Sequence, residues 1–243
     1  MTDATSFLTL EKVAAGYGPI TVLHELSLAV DRSEVVALLG SNGSGKSTVL
    51  KTIMGLTTMT GGTIAFDGRD MSRLPGHRRA GLGIGYVPQS NNVFADLSVA
   101  DNLRMGAFLH PANLASGLDE VFALFPQIKD RYRTSAFNLS GGERRMLAIG
   151  MALLAKPRVL LLDEPSSDLS PVMIQAVFSA IREIHQRLSL PVLLVEQNVN
   201  EALALATRVC VVVRGREALD VPVGELEITR LQELFLDAGT AVD

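Results

Sequence analysis

The segment that most constrains this 243-residue chain is Gly40-Ser41-Asn42-Gly43-Ser44-Gly45-Lys46-Ser47-Thr48, set between the apolar run Val35–Leu39 and a helical pattern over 47–54. Small residues let the backbone wrap so that consecutive N–H groups point inward, adding to the positive end of the following helix. The spacing Gly-x-x-x-x-Gly-Lys-Ser/Thr between a strand and a helix is that of a phosphate-cradling loop. In such a loop Lys46 would reach the β- and γ-phosphates, and the Ser47 hydroxyl would ligate Mg²⁺. Lys46 is expected to face solvent until nucleotide arrives.

The rest of the chain agrees with a sheet built around that loop. Val35–Leu39, Ile84–Val87, 159–162, Val192–Val195 and 209–213 are almost continuously apolar, as strands covered on both faces are. Helical spacing over 47–54, Pro171–Leu188 and 200–207 separates them, which argues a mainly parallel sheet between helices. The stretches 7–35 and 60–68 alternate more and carry Gly-Pro and Asp-Gly turns, indicating an antiparallel layer. Between about 90 and 155 the strand signal fades, and helices are expected at 99–108, 118–124 and 143–155. Ser98 with Asp101 three residues on makes an N-cap for the first of these. A short helix is expected within 224–236. The chain reads as α/β, one domain over 1–243: a P-loop NTPase core with a mainly parallel sheet, an N-terminal antiparallel β layer and an inserted helical subdomain.

The formal net charge of −4 gives no general attraction to nucleic acid or anionic lipid. One cysteine, Cys210, lies in an apolar run and is expected in the core, so no internal disulfide framework is possible. The first residues lack the basic flank and apolar stretch of a signal peptide. The apolar, uncharged run 146–155 falls short of the ~18 residues of a spanning helix. At a membrane, other chains would have to hold this one. The four histidines show no metal-ligand spacing, and the clusters His77-Arg78-Arg79 and 129–133 are expected as solvated faces.

A second chemical signal is Asp163-Glu164, two acids ending the apolar run that starts at Val159. Ligands of α/β sheets collect at the carboxyl ends of strands, where the phosphate loop also sits. Asp163 can hold Mg²⁺ and Glu164 can accept a proton from an attacking water.

Many NTPases share these two elements. The segment Leu139-Ser140-Gly141-Gly142-Glu143, just before a helix, resembles the signature motif of ABC ATPases, with Ser140, Gly141 and Gly142 as a second anion site at a helix N-terminus. In the order of that family, Gln89 resembles the Q-loop glutamine that meets Mg²⁺ and the attacking water. Ser167-Asp168-Leu169-Ser170 lies at the D-loop, and Tyr17 resembles the aromatic that stacks on adenine. The resemblance implies ATP and Mg²⁺ as cofactors and a second cassette paired head to tail. ATP would lie between one phosphate loop and the opposite signature segment. The segments 83–88, 102–106, 146–150 and 194–198 further resemble ATPases of branched-chain amino-acid importers. That implies a cytoplasmic subunit on the inner membrane face, with two membrane permease subunits and, indirectly, an external solute-binding protein; no nucleic acid is expected.

Two positions depart from the general pattern. Gln197 stands where most of the family has a histidine near the γ-phosphate; its amide can donate a hydrogen bond but does not titrate near neutral pH. Asp168 stands where a small residue is usual. Two other functions compete with an importer ATPase: a soluble ABC ATPase serving an assembly factor, and a nucleotide-gated structural partner with weak turnover. The single cassette without a long coiled-coil insertion speaks against the first, and Glu164 against the second.

Overall fold

The structure, a computed structural model, describes residues 6–239. Contacts gather into two compact units, residues 6–80 with 191–239, and Gly81–Leu190. In the first unit the strands Leu8–Tyr17, Ile20–Val30 and Thr58–Phe66 form an antiparallel layer with the longest strand pairings centred on Leu8–Tyr17. Beside it runs the nucleotide-type sheet. Val35–Leu39, buried at every position, pairs in parallel with Val192–Val195 and with Arg208–Val213. Burying each such valine or leucine contributes about 1.5–3 kcal/mol, so this strand anchors the loop that follows it.

The second unit holds the parallel pair Ile84–Val87 and Val159–Asp163, in register from Ile84↔Val159 to Val87↔Leu162. Around it lie the helices Val99–Gly106, Leu114–Leu124, Pro126–Asp130, Gly141–Leu154 and Pro171–Leu188. Ser98 caps the first of these as expected, its Oγ accepting from the Asp101 amide at 3.1 Å. Val99–Gly106 ends against Gly141–Leu154 at a glycine, because a Cβ on Gly106 would stand 2.5 Å from the Met151 carbonyl oxygen. Pro171–Leu188 has the expected bounds, with proline in its first turn where the missing N–H costs nothing.

Three expectations need correction. The strand Arg216–Pro222 was not anticipated; it pairs antiparallel with Arg208–Val213, and its mostly exposed face leaves no apolar alternation to read. Thr58–Phe66 begins two residues before the expected stretch 60–68, its first residues pairing with 14–16. Arg79 is not on a solvated face. Only 3% exposed, it donates to the carbonyls of Thr52 and Ile53 at 2.7 and 2.9 Å, and of Leu74 and Ser72 at 2.7 and 2.9 Å. Burial pulls its pKa down, opposed by Asp70. The guanidinium thereby satisfies the C-terminal carbonyls of Lys46–Ile53, the helix that opens at the phosphate loop. Arg79→Ala should lower stability by about 2–4 kcal/mol, since it orphans buried carbonyls. Thermal unfolding should register this as a loss of roughly 5–15 °C; a shift under 2 °C would show that water replaces the guanidinium.

The other cluster, 129–133, is exposed except for half-buried Tyr132, and Cys210 is fully buried as expected, its thiol pKa pushed well up by burial. No described helix is long and apolar enough to cross a membrane.

Candidate functional site

The phosphate loop leaves Val35–Leu39 and turns into the helix Lys46–Ile53 through Gly45, whose φ of 106° is open to glycine and strained for other residues. A Cβ on Gly40 would stand 2.3 Å from the Val212 carbonyl oxygen, so only glycine passes there. The turn at Gly215 braces the loop from outside, its amide donating to the Ser44 carbonyl at 2.8 Å.

Three features suit this loop to a phosphate group. The N-cap of the helix is Gly45, which has no side chain to set against the first amides. Ser44 is 4% exposed, and its Oγ has no hydrogen-bond partner among the described residues. Lys46 is collected within the loop. Contrary to expectation it does not face solvent: it is 4% exposed, and its Nζ donates to the carbonyls of Gly40 and Ser41 at 2.9 Å each. A buried ammonium needs acceptors, and the loop carbonyls are the nearest ones its stem can reach. Ser47 and Thr48 follow on the same first turn, Ser47 half-buried and Thr48 buried; Ser41 is half-buried and Asn42 and Gly43 are exposed.

Parallel pairing places Gln197 at the same sheet edge. Leu38 is level with Val195, so the chain reaches Gly40 and Gln197 at about the same height. The Gln197 side chain is exposed. The preceding Glu196, 1% exposed, is a residue that sequence reasoning passed over. Its Oε2 accepts from the amides of Gln197 and Asn198 at 3.0 and 3.3 Å, shaping the turn that presents Gln197. An acid directly after a buried strand, as at Asp163, was the available signal. Tyr17 ends Leu8–Tyr17 with 42% of its surface exposed, open to a stacking partner.

In the second unit the register of Ile84–Val87 and Val159–Asp163 brings Gln89 beside the acid pair. Gln89 Nε2 donates to Glu164 Oε2 at 2.7 Å. Asp163 and Glu164 are both buried, and the Tyr86 hydroxyl lies 3.4 Å from Asp163 Oδ2. Glu164 adopts φ 46°, and Asp168 φ 61°. Such left-handed conformations cost non-glycine residues about 1–3 kcal/mol and persist only where neighbours hold them. Ser167 does so here: its amide and hydroxyl both donate to the Glu164 carbonyl, at 3.2 and 3.0 Å.

The segment after Leu139 forms the start of the helix Gly141–Leu154 with a full capping box. Ser140 Oγ accepts from the Glu143 amide at 3.2 Å, and the Ser140 amide donates to Glu143 Oε2 at 2.8 Å. That backbone bond holds the Glu143 carboxyl below its usual range, against burial, which raises it. A hydroxyl accepting in this way still has its own proton to donate. Gly141 is exposed; Gly142 is buried against Met173, whose Cβ and Cγ would stand 3.2 and 3.0 Å from an added Cβ.

The profile of the family described as ABC transporter matches residues 23–167, a span running from before the phosphate loop through Glu164. This chain belongs to the ABC transporter family. The cassette is 43% identical over 210 residues to the high-affinity branched-chain amino acid transport ATP-binding protein BraG of Pseudomonas aeruginosa, covering 86% of this chain and 90% of that protein. It is 39% identical to the probable branched-chain amino acid transport ATP-binding protein LivF of Archaeoglobus fulgidus, covering 88% and 92%. Among solved structures, a nucleotide-free ATP-binding cassette from an ABC transporter superposes with a TM-score of 0.84 at 22% identity, over 98% of this chain and all of that one. The fold is therefore that of an ABC ATPase, an ATP-binding and ATP-hydrolysing cassette of mixed α/β class.

Proposed function

We propose that this cassette drives uptake of branched-chain or related amino acids, coupling ATP hydrolysis at a cassette dimer interface to two membrane permease subunits. The observation that carries the proposal is the ranking of relatives over comparable spans. Branched-chain amino acid transport proteins match at 39–43% identity, and lipopolysaccharide export ATPases at 36–37%. Gln197 at the H-loop position accords with the same subgroup. The cassette then works on the cytoplasmic face of the membrane, beside a second, homologous cassette chain, with a solute-binding protein acting indirectly from outside.

In this reading the loop 40–48 holds the ATP phosphates, Lys46 neutralises charge on them and Tyr17 stacks on the adenine. Ser47, Asp163 and Gln89 are hard oxygen donors of the kind Mg²⁺ prefers, and the ion would offset charge that develops during phosphoryl transfer. Glu164 takes the proton of the attacking water, and Gln89, bonded to it, senses and orients that group. Gln197 donates its amide N–H to the γ-phosphate. Ser140, Gly141 and Gly142 supply a hydroxyl and backbone amides to the ATP held by the partner cassette.

Affinity purification from detergent-solubilised membranes should recover two permease subunits and a second cassette chain. Uptake of labelled leucine should fall in a deletion strain while urea uptake is unchanged. Recovery of only soluble partners would favour an assembly factor, and loss of urea uptake alone would move the substrate class.

A further inference from the structure

We propose that Arg145 is a positioning residue for ATP hydrolysis, tying the signature helix to the two loops that carry Gln89 and Glu164; the inference rests on the roles given to those two residues above. Arg145 is 5% exposed, while its neighbour Arg144 lies at the surface. A guanidinium is costly to take out of water unless its donors find acceptors, and packing alone would be met by an apolar side chain such as the adjacent Met146 and Leu147. What the charge achieves is read from its bonds. Nη1 donates to the Pro88 carbonyl at 3.1 Å; Nη2 donates to the Gln89 carbonyl and to Ser167 Oγ, each at 3.1 Å.

Those acceptors belong to one closed circuit. Ser167 Oγ donates onward to the Glu164 carbonyl at 3.0 Å, and the Gln89 side chain returns to the Glu164 carboxylate at 2.7 Å. Arg145 therefore holds the backbone of the glutamine and, through Ser167, the backbone of the glutamate, while the two side chains meet. The loops on either side border an open cleft of about 290 Å³, lined by Gln89, Asn91, Gly141, Arg144 and Asp168 among others. At the rim of that cleft the planar fork of one arginine bonds both loops at once. A shift of the signature helix is passed to the acid and the glutamine through this fork.

The test compares the purified full-length cassette with Arg145→Ala, Arg145→Lys, Ser167→Ala, Gln89→Ala and the double variant Arg145→Ala/Gln89→Ala, measuring kcat and KM for ATP together with thermal unfolding. Arg145→Ala should lower kcat about 10- to 100-fold with KM within about threefold, as expected for a group that acts on the transition state through others. Arg145→Lys should recover only part, because an ammonium cannot span the same acceptors. In the Gln89→Ala background the effect of Arg145→Ala should shrink to the roughly 3- to 10-fold carried by the Ser167 branch, which a general loss of packing would not produce. Ser167→Ala removes the hydroxyl's two bonds, to Arg145 and to the Glu164 carbonyl, and leaves the guanidinium its own carbonyls; it should lower kcat about 3- to 10-fold even where Arg145→Ala fails to fold. Unchanged kcat in Ser167→Ala, or an Arg145→Ala effect of equal size with and without Gln89, overturns the proposal. A wild-type chain that does not hydrolyse ATP overturns the underlying roles and this inference with them.

Discussion

Glu164→Gln should slow ATP hydrolysis by about 100- to 10 000-fold while leaving ATP binding intact, because it removes only the proton acceptor. The substitution is nearly isosteric, and the local geometry favours its tolerance. Gln89 donates to Glu164 Oε2, a bond that a glutamine carbonyl can still accept once its amide is turned the right way. The φ of 46° burdens glutamine no more than glutamate, and the two Ser167 bonds to the Glu164 carbonyl remain. Steady-state phosphate release should therefore collapse while equilibrium ATP binding persists, and size exclusion with ATP should show an accumulated dimer. Asp163→Asn should behave differently, weakening the Mg²⁺-dependent part of binding itself. Normal hydrolysis by Glu164→Gln would end its assignment as the base.

Lys46→Met should abolish ATP turnover and weaken nucleotide binding, and here the structure sharpens the choice of variant. Lys46 is buried, so alanine would leave both a void and two loop carbonyls without their donor. Methionine keeps most of the stem volume and removes only the ammonium. Each lost charge-assisted bond costs about 1.5–3 kcal/mol at most, so Lys46→Met should also unfold at a lower temperature. The two effects separate in one experiment: added ATP should raise the unfolding midpoint of the wild type and leave that of Lys46→Met almost unmoved. Hydrolysis by Lys46→Met at the wild-type rate would remove the phosphate-loop assignment.

Much of the site was legible because its parts are local. The strand–loop–helix at 35–53, the acid pair after Val159–Leu162 and the cap at Ser140 each depend on residues within a few positions of one another. Backbone conformation and capping act over that range, so residue type and spacing report them. Family order set Gln89 at the Mg²⁺ and the attacking water, and the acid pair set Glu164 as proton acceptor; their direct bond at 2.7 Å is made by the parallel register of Ile84–Val87 with Val159–Asp163.

The long cationic side chains were not legible in the same way. Arg79 and Arg145 look alike in sequence to Arg78 or Arg144, which lie at the surface. Their burial follows from where carbonyl oxygens become available after folding, and those acceptors lie 27 residues away for Arg79 on Thr52 and 57 for Arg145 on Pro88. The edge strand Arg216–Pro222 was missed for a related reason, since its pairing is made by the backbone and its side chains carry no pattern. Sequence alone determined the sheet-and-helix alternation, the phosphate loop, the acid pair and the family, because these are written in backbone preferences and contiguous motifs. Tertiary structure alone decided that Arg79 and Arg145 leave the water, because their guanidinia are stable there only where distant chain segments bring them enough acceptors.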